Sequence, residues 1–373
     1  MSQSESCCSN RRDGGLEPEA KDDLKYIKVG GCCGAVTKAG MLPRIGFNWS
    51  LSDRIGEIAA RFGYKRMEYA ISPGLYALGT PDENSPVLVS ANYKLSFDVL
   101  RRDSKINAWV LVIDTKGINV WCAAGKGTFC DAEIIKRIKE TKLEKIVKHK
   151  TIILPLLSAP GVAAHEIRKH TGFKAVFGPV EAYDIKKFID NGMKNDAAMK
   201  TVEFPAMRRL EVAWLELSVS LDKAFWPFVI FVLVSGIEKT GYNFYAGAYR
   251  AFFYGGGVLT GIVSGSVIFS LLLPYLPGRY FSFKGGVLGT FTAALVLTAM
   301  NAASMPMYFI KIPAFLLLSA GVASFAAMNY TGATTFTSIS GVKKEIKDSL
   351  PYIIACGALA AALMISEMIM RWL

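Results

Sequence analysis

Cys122 is the side chain of this sequence with the most chemistry to offer. It lies in residues 119–126, NVWCAAGK, just after the apolar run AWVLVID at 108–114, which has the length and β-branched content of a buried strand. A short turn, Thr115-Lys116-Gly117, joins the two, and the alanines and lysine after the cysteine suit a helix. Cys122 is therefore expected in the first turn of a helix at the end of a central strand. Backbone N–H groups and the positive end of the helix dipole favour a thiolate over a thiol there. The competing reading is a buried structural cysteine. Against it, Ala123, Ala124 and Gly125 leave room for something large to lie flat over the sulfur.

Spacing removes the usual roles of such a turn. A P-loop needs glycine at position 120 and Ser or Thr at 127, where the chain has Val120 and Gly127. A dinucleotide fingerprint begun at Gly125 needs glycine where Cys130 stands. Cys122 and Cys130 are too far apart for a CxxC pair, and no histidine is near enough in sequence to complete a zinc site. A Cys–His nucleophile stays open, with His149, His165 or His170 as the base.

The elements that must hold this stretch alternate. A helix over 52–62, capped by Ser52 or Asp53, leads into a strand-like stretch, RMEYAISPGLYALG, broken at Pro73-Gly74. Strands are predicted at 86–91, 108–114, 149–154 and 174–177, and helices at 94–102, 131–141, 162–170 and 181–190, besides the cysteine helix. Four β-α units with nearly all-apolar strands imply an α/β domain, a Rossmann-like parallel sheet covered on both faces. Ligands of such sheets bind outside the carboxyl ends of the strands. The rim then comprises Ser90 and Asn92, Asp114, Thr115 and Gly117, Pro160 and Gly161, and Gly178 and Pro179.

At 373 residues with 51% hydrophobic content, the chain is too apolar for an ordinary soluble enzyme. Its net charge of +12 comes without a basic helix, zinc finger or other reader motif, so no nucleic-acid partner is expected. Basic flanks of membrane spans explain the charge better. Seven cysteines with no signal peptide ahead of them argue for a reducing compartment and against a disulfide framework. Residues 1–42 read as a disordered segment holding two vicinal pairs, Cys7-Cys8 and Cys32-Cys33. Those pairs are candidate thiolate ligands for a soft ion such as Hg(II).

The domains expected are the N-terminal segment 1–42, an α/β domain at 43–192, an amphipathic connector at 193–222 and an all-α transmembrane domain at 223–373. Within the connector, residues 207–221 form the helical part at the membrane face, with Arg208 and Arg209 on its wet side. Five apolar segments follow at 224–237, 251–276, 283–302, 308–328 and 351–373, most of them near the ~20 residues a bilayer needs. A cytoplasmic α/β domain places Arg208, Arg209, Lys223, Arg279, Lys284, Lys343, Lys344 and Lys347 inside. Only Lys239, Arg250, Lys311 and Arg371 fall outside, in accord with the positive-inside rule. The expected location is the inner membrane, in contact with lipid, with the C-terminus on the side opposite the N-terminus. No row of intramembrane charges marks an ion path. The hydroxyl-rich stretch NYTGATTFTSISGVKKE at 329–345 reads as a long cytoplasmic loop.

NVWCAAGK closely resembles the cap-helix motif, N(V/I)WCAAGK, of the corrinoid protein family of microbial mercury methylation (HgcA). The resemblance continues through VLVSANYKLSFD (87–98), DTKGINVWCAAGKGTF (114–129), LSAPGVAAHEIRKHTGF (157–173) and FGPVEAYDI (177–185). It covers about 43–192, and the membrane region after it also fits. Ser90 stands where the family is expected to have threonine, and keeps the hydroxyl.

The resemblance implies a corrinoid-dependent methyltransferase with base-off cobalamin or a related corrinoid as cofactor. Cys122 becomes the lower axial ligand of the cobalt. Asn119, Val120, Trp121, Ala123, Ala124, Gly125 and Lys126 become the helix against the corrin. The D-x-H-x-x-G sequence of histidine-ligated cobalamin domains is absent, since His165 and His170 have Ala163 and Arg168 two positions before them. The activity implied is transfer of a methyl group from the cofactor to Hg(II), giving methylmercury. Implied partners are a small iron–sulfur ferredoxin as electron donor and a methyl-donor protein or methyl-folate. This chain has no ferredoxin-type cysteine run of its own. The alternative is a membrane corrinoid carrier or transporter that does not methylate mercury.

Overall fold

The computed structural model describes residues 26–27, 34–37, 40–239, 241–333 and 339–372. Cys7, Cys8, Cys32 and Cys33 lie outside the described residues, and with them the suggested Hg(II) pairs. The chain divides into two compact units, one containing residues 64–202 and the segment up to 60, the other 61–63 and 203–373.

The first unit is an α/β domain on a seven-stranded sheet of order β1-β2-β3-β5-β4-β6-β7. The strands are β1 (Gly34–Thr37), β2 (Gly40–Ile45), β3 (Gly74–Leu78), β4 (Val87–Ala91), β5 (Ala108–Ile113), β6 (Thr151–Leu154) and β7 (Lys174–Phe177). β5, β4, β6 and β7 are mutually parallel, as the alternating pattern predicts. Every residue of β4 and β5 is buried. Successive side chains point to opposite faces, and each face meets its own helices. Val87, Val89, Leu111 and Ile113 pack with Ile134, Ile138 and Ile167. On the other side Val110 and Val112 pack with Phe97, and Leu88 with Ile185 and Phe188.

Two expectations are corrected here. The sheet is mixed, because β3 runs antiparallel to β5 and carries β2 parallel to itself. The stretch RMEYAISPGLYALG is not one strand: residues Arg66–Glu68 form a 3-10 turn, and only Gly74–Leu78 pairs along β5. Residues 34–37 and 40–42, expected in the disordered segment, are strand. β1 and β2 form an antiparallel hairpin with Gly40 at φ +115°, a conformation that favours glycine.

Six helices complete the unit: α1 (Leu51–Arg61), α2 (Lys94–Ser104), α3 (Val120–Lys126), α4 (Asp131–Glu140), α5 (Ala164–Thr171) and α6 (Ile185–Asp190). The cap of α1 is Ser50, not Ser52 or Asp53. The Ser50 hydroxyl accepts from the Asp53 N–H at 3.2 Å, and Asp53 accepts from the Ser50 N–H at 2.9 Å, a reciprocal capping box. Asp53 then reaches α2, where Lys94 and Arg101 bridge it to the buried Asp98. Burial opposes the charge of Asp53, but the hydrogen bonds from Lys94 and Ser50 outweigh it and hold the carboxyl well below the usual carboxylate range.

The second unit has five helices long and apolar enough to cross a membrane: α7 (Ala206–Ser235), α8 (Phe244–Leu272), α9 (Phe281–Ala299), α10 (Tyr308–Asn329) and α11 (Ile339–Trp372). The predicted connector at 207–221 runs without a break into the first span. Arg209 is buried rather than wet, donating to the carbonyls of Phe204, Ser270 and Leu271. Those last two carbonyls lie in the final turn of α8, after its π-helical turn Ser264–Ile268, where an intrahelical partner is missing. The predicted loop at 329–345 is helical in its described parts, Tyr330–Ala333 and from Ile339 on.

Glycines seat α10 between two neighbours. A Cβ at Gly261 or Gly265 of α8 would come within 2.7 or 2.5 Å of the Ser319 or Ala323 carbonyl of α10. On α9, a Cβ at Gly285 or Gly289 would meet those same carbonyls at 2.5 and 2.7 Å. The interior holds a few charged groups. Glu367 of α11 is buried and takes the Tyr254 hydroxyl, Lys311 and Arg371. Arg250 is buried and pairs with Glu238. Tyr254, Lys311, Glu367 and Arg371 join α8, α10 and α11, and Arg250 ties α8 to the segment before it.

Candidate functional site

The site is built on α3, a seven-residue helix that begins just past the end of β5. Asn119 is its N-cap, in extended conformation, and the Asn119 Oδ1 accepts from the Cys122 N–H at 2.9 Å. Asn119 thus holds the backbone of the cysteine as a helix cap. Gly127, at φ +78°, closes the helix by donating to the Ala123 and Ala124 carbonyls.

Two faces of α3 separate the candidates. Ala123 and Ala124 are buried against the sheet, with Val120 packed partly beside them. The room they make is therefore beneath the helix, where small residues let it settle close on the core. Trp121, Cys122, Gly125 and Lys126 are exposed. A Cβ at Gly125 would meet nothing within 4 Å, so the space beside the thiol on this face is open. Trp121 is 44% exposed on the helix that carries Cys122.

The turn into α3 hangs on one side chain. Asn92 is fully buried, and its Oδ1 accepts from the Thr115 N–H, the Thr115 hydroxyl and the Gly117 N–H at 3.1, 2.9 and 3.0 Å. Its Nδ2 donates to Asp114 Oδ1 at 3.2 Å. The Thr115 hydroxyl has a single proton and also lies 2.7 Å from the Ile118 carbonyl, so it donates to one of these two oxygens at a time. The amide of Asn92 thus has no capacity left on Oδ1 for a ligand. Ser90, Asn92, Thr115 and Gly117, expected on the rim, are buried supports beneath it. Asp114 is half-buried, accepting from the Lys116 N–H as well.

Pro160 and Gly161 end the 3-10 segment Leu156–Gly161, which packs on α3. Pro160 is exposed, but Gly161 is a contact point: a Cβ there would lie 2.6 Å from the Phe129 carbonyl and 2.9 Å from the Ala124 Cα. Only glycine admits that backbone approach. Gly178 and Pro179 are buried, and Gly178 packs on Ile153 and donates its N–H to the Leu154 carbonyl. Asn195 fastens this loop by donating to the Phe177 and Gly178 carbonyls.

Three supports escaped sequence reasoning. Glu133 accepts from the Asp114 N–H at 3.1 Å and is itself held by Arg137. Asn195 is the second. Tyr26 is the third: burial, and then the negative charge of Asp114, push its phenol above the ordinary value. No local pattern marks any of them, because each acts on a residue distant in sequence.

The histidines are occupied elsewhere. His149 Nε2 lies 2.9 Å from the Ser85 carbonyl, and His149 Nδ1 accepts from the Thr151 N–H. His165 and His170 are exposed beside Glu166 on α5. Cys122 and Cys356 are the free thiols among the described residues, whereas Cys130 is disulfide-bonded. The reading against disulfides therefore does not hold for Cys130.

Comparison with known proteins finds matches to this unit. The family model described as CO dehydrogenase/acetyl-CoA synthase delta subunit (CdhD) matches residues 65–189, which include the four parallel strands and α3 but none of the five long helices. The chain is 35% identical over 128 residues to the acetyl-CoA decarbonylase/synthase complex subunit gamma of Methanothermobacter thermautotrophicus, covering 34% of this chain and 28% of that one. It is 35% identical over 129 residues to the same subunit of Methanocaldococcus jannaschii, covering 34% and 26%. The corrinoid/iron–sulfur protein large subunit of Moorella thermoacetica is 32% identical over 117 residues, covering 31% and 26%. The chain thus spans little more than a quarter of the length of these relatives. An exposed, soft sulfur on a helix with open space beside it fits the metal of a corrinoid. The family match and the corrinoid relative support a corrinoid-binding domain, with a corrinoid as its cofactor.

Proposed function

We propose that the chain is a membrane-anchored corrinoid methyltransferase in which Cys122 would hold the cobalt of the cofactor and Hg(II) is the methyl acceptor. The observation that carries this is the exposed Cys122 thiol on α3, beside open space at Gly125. The mercury part rests on the resemblance of NVWCAAGK to the cap-helix motif of the mercury-methylating family. The names of the matched relatives speak to corrinoid and acetyl-CoA chemistry only.

When bound, a corrinoid supplies a cobalt centre able to take up a methyl group and release it to an electrophile. The chain's own residues orient and tune. Asn119 fixes the Cys122 backbone, so the sulfur presents a soft donor from a defined position. Asn92 and Gly161 hold the turn before α3 and the helix itself at fixed height. Gly125 keeps the face flat, and Trp121 and Lys126 flank it. The Cys122 sulfur would hold the metal as a soft, strong donor, a ligand suited to a centre that would give its methyl group to a soft electrophile such as Hg(II).

Reducing equivalents come from a separate iron–sulfur protein, and the methyl group from a protein or folate donor. Both are read from the resemblance. The positive-inside pattern puts the corrinoid domain in the cytoplasm and the C-terminus across the membrane.

A second reading keeps the cofactor and drops mercury: a membrane corrinoid carrier. It draws support from the relatives, which are subunits of acetyl-CoA decarbonylase/synthase complexes. Purified protein loaded with methylcobalamin and given Hg(II) separates the two. Methylmercury formed faster than from free methylcobalamin supports the first. Corrinoid binding without that acceleration leaves the carrier.

A further inference from the structure

Helix α1 is mounted with its apolar face outward. The face turned to the domain is polar or small: Asp53 in the ion network with Lys94 and Arg101, Gly56 and Ala60. A Cβ at Gly56 would fall 2.6 Å from the Tyr69 hydroxyl, so this face lies close against the domain. Leu51, Ile55 and Ile58, spaced to share the opposite face, are 74%, 59% and 56% exposed. Tyr64 and Met67 add exposed apolar surface shortly after the helix. A soluble domain has no use for this arrangement, since burying that face would stabilise it at little cost.

Beside the stripe is a cleft of about 700 Å³ lined by Phe47, Asn48, Trp49, Arg54, Glu57, Ile58, Arg102 and Lys105. Three of these side chains are cationic and one is acidic. Arg102 stacks on the Trp49 ring at 4.4 Å and also pairs with Asp103. Apolar side chains bordered by cations and an aromatic ring are the composition of a helix that lies in a bilayer interface. The same chain carries five helices fit to cross a membrane, the first beginning at Ala206.

We infer that α1 and this cleft bind an anionic phospholipid surface, Leu51, Ile55 and Ile58 entering the acyl boundary while Arg54, Arg102 and Lys105 meet headgroup phosphates. The corrinoid domain then has a lipid contact of its own, additional to its covalent link to the spans. The contact is independent of whether the domain methylates mercury.

The test uses the full chain in lipid nanodiscs with brominated acyl chains and an environment-sensitive fluorescent amino acid at position 58. The expected result is quenching that is severalfold greater in discs containing anionic phospholipid than in zwitterionic discs. Arg54→Glu combined with Lys105→Glu should remove that excess, and Ile55→Glu should reduce quenching in every disc. These side chains point away from the ion network, so the fold should survive; the circular dichroism of each variant checks it. Absence of quenching overturns the inference, whether a protein partner or water covers the stripe. Equal quenching in both lipids also overturns it, by removing the role of the cleft. So does loss of the anionic excess on adding millimolar inorganic phosphate, which would make the cleft a site for free phosphate rather than for a lipid headgroup.

Discussion

Cys122 carries the sharpest expectation at the residue scale. Cys122→Ala and Cys122→Ser should keep the fold, since the side chain is exposed and alanine is a good helix former. Both should keep much of the corrinoid affinity and lose cobalt–sulfur ligation and nearly all methyl transfer to Hg(II). The absorption spectrum of the loaded protein and methylmercury yield measure this, and an unchanged spectrum in either variant sinks the ligand assignment. Two glycines should respond in opposite ways. Gly125→Ala has open space and a better helix former, so the free protein should gain up to about 1 kcal/mol in urea unfolding while corrinoid affinity falls. Gly161→Ala drives a Cβ into the backbone of α3 and should cost about 1–3 kcal/mol. Equal effects from the two would mean that the outer face of α3 is not where the corrin lies.

At the scale of elements, the site is a short helix held by a turn, and the turn is held by Asn92. Asn92→Ala leaves the Thr115 and Gly117 N–H groups without their acceptor inside the domain, while the Thr115 hydroxyl keeps the Ile118 carbonyl. It should cost about 3 kcal/mol and weaken corrinoid binding, although Asn92 touches no ligand. Helix α1 should respond to pH through Asp53. Its folded pKa is depressed, so its contribution is complete above the unfolded value of about 4 and is lost as the pH falls through the folded one. Stability should therefore be flat from pH 8 to about 5 and fall in acid, and Asp53→Asn should lower the plateau and flatten the acid limb.

This is also the scale at which the sequence was easiest and hardest to read. The cysteine helix and its cap were legible, because strand, turn, Asn119 and Gly127 are consecutive. The four parallel strands were legible from their unbroken apolar runs. Asn92 was seen only as part of a rim, because its partners lie 22 to 25 residues on and no periodicity connects them. The antiparallel β3 was misjudged for a related reason: strand direction depends on which neighbour a strand finds, and an apolar stretch does not encode its neighbour.

On the scale of the whole molecule, the second unit reads as an anchor. Among the described residues, Glu367 pairs with Lys311 and Arg371 and Arg250 with Glu238, while Arg209 is held by backbone carbonyls and Glu345 by the Ser282 N–H, and these acidic groups form no chain through the bilayer. Reporter fusions at the C-terminus should behave as exposed on the side opposite the corrinoid domain. A C-terminus on the cytoplasmic side would require an even number of crossings and remove one of the five helices from the membrane. Proteoliposomes carrying the full chain should show no uptake of Hg(II) or methylmercury above protein-free vesicles, and uptake would turn the anchor into a conduit.

The glycine seats of α10 bear on the order of assembly. α8 and α9 leave the ribosome before α10, and each displays a row of bare backbone that only the arriving helix fills. Until residues 308–329 enter the bilayer, the two earlier helices have grooves with nothing to close them. A chain stopped after Ala299 should therefore be inserted yet short-lived, open to the membrane's quality-control proteases. A chain carried through Asn329 should gain lifetime abruptly, before the last helix has been made.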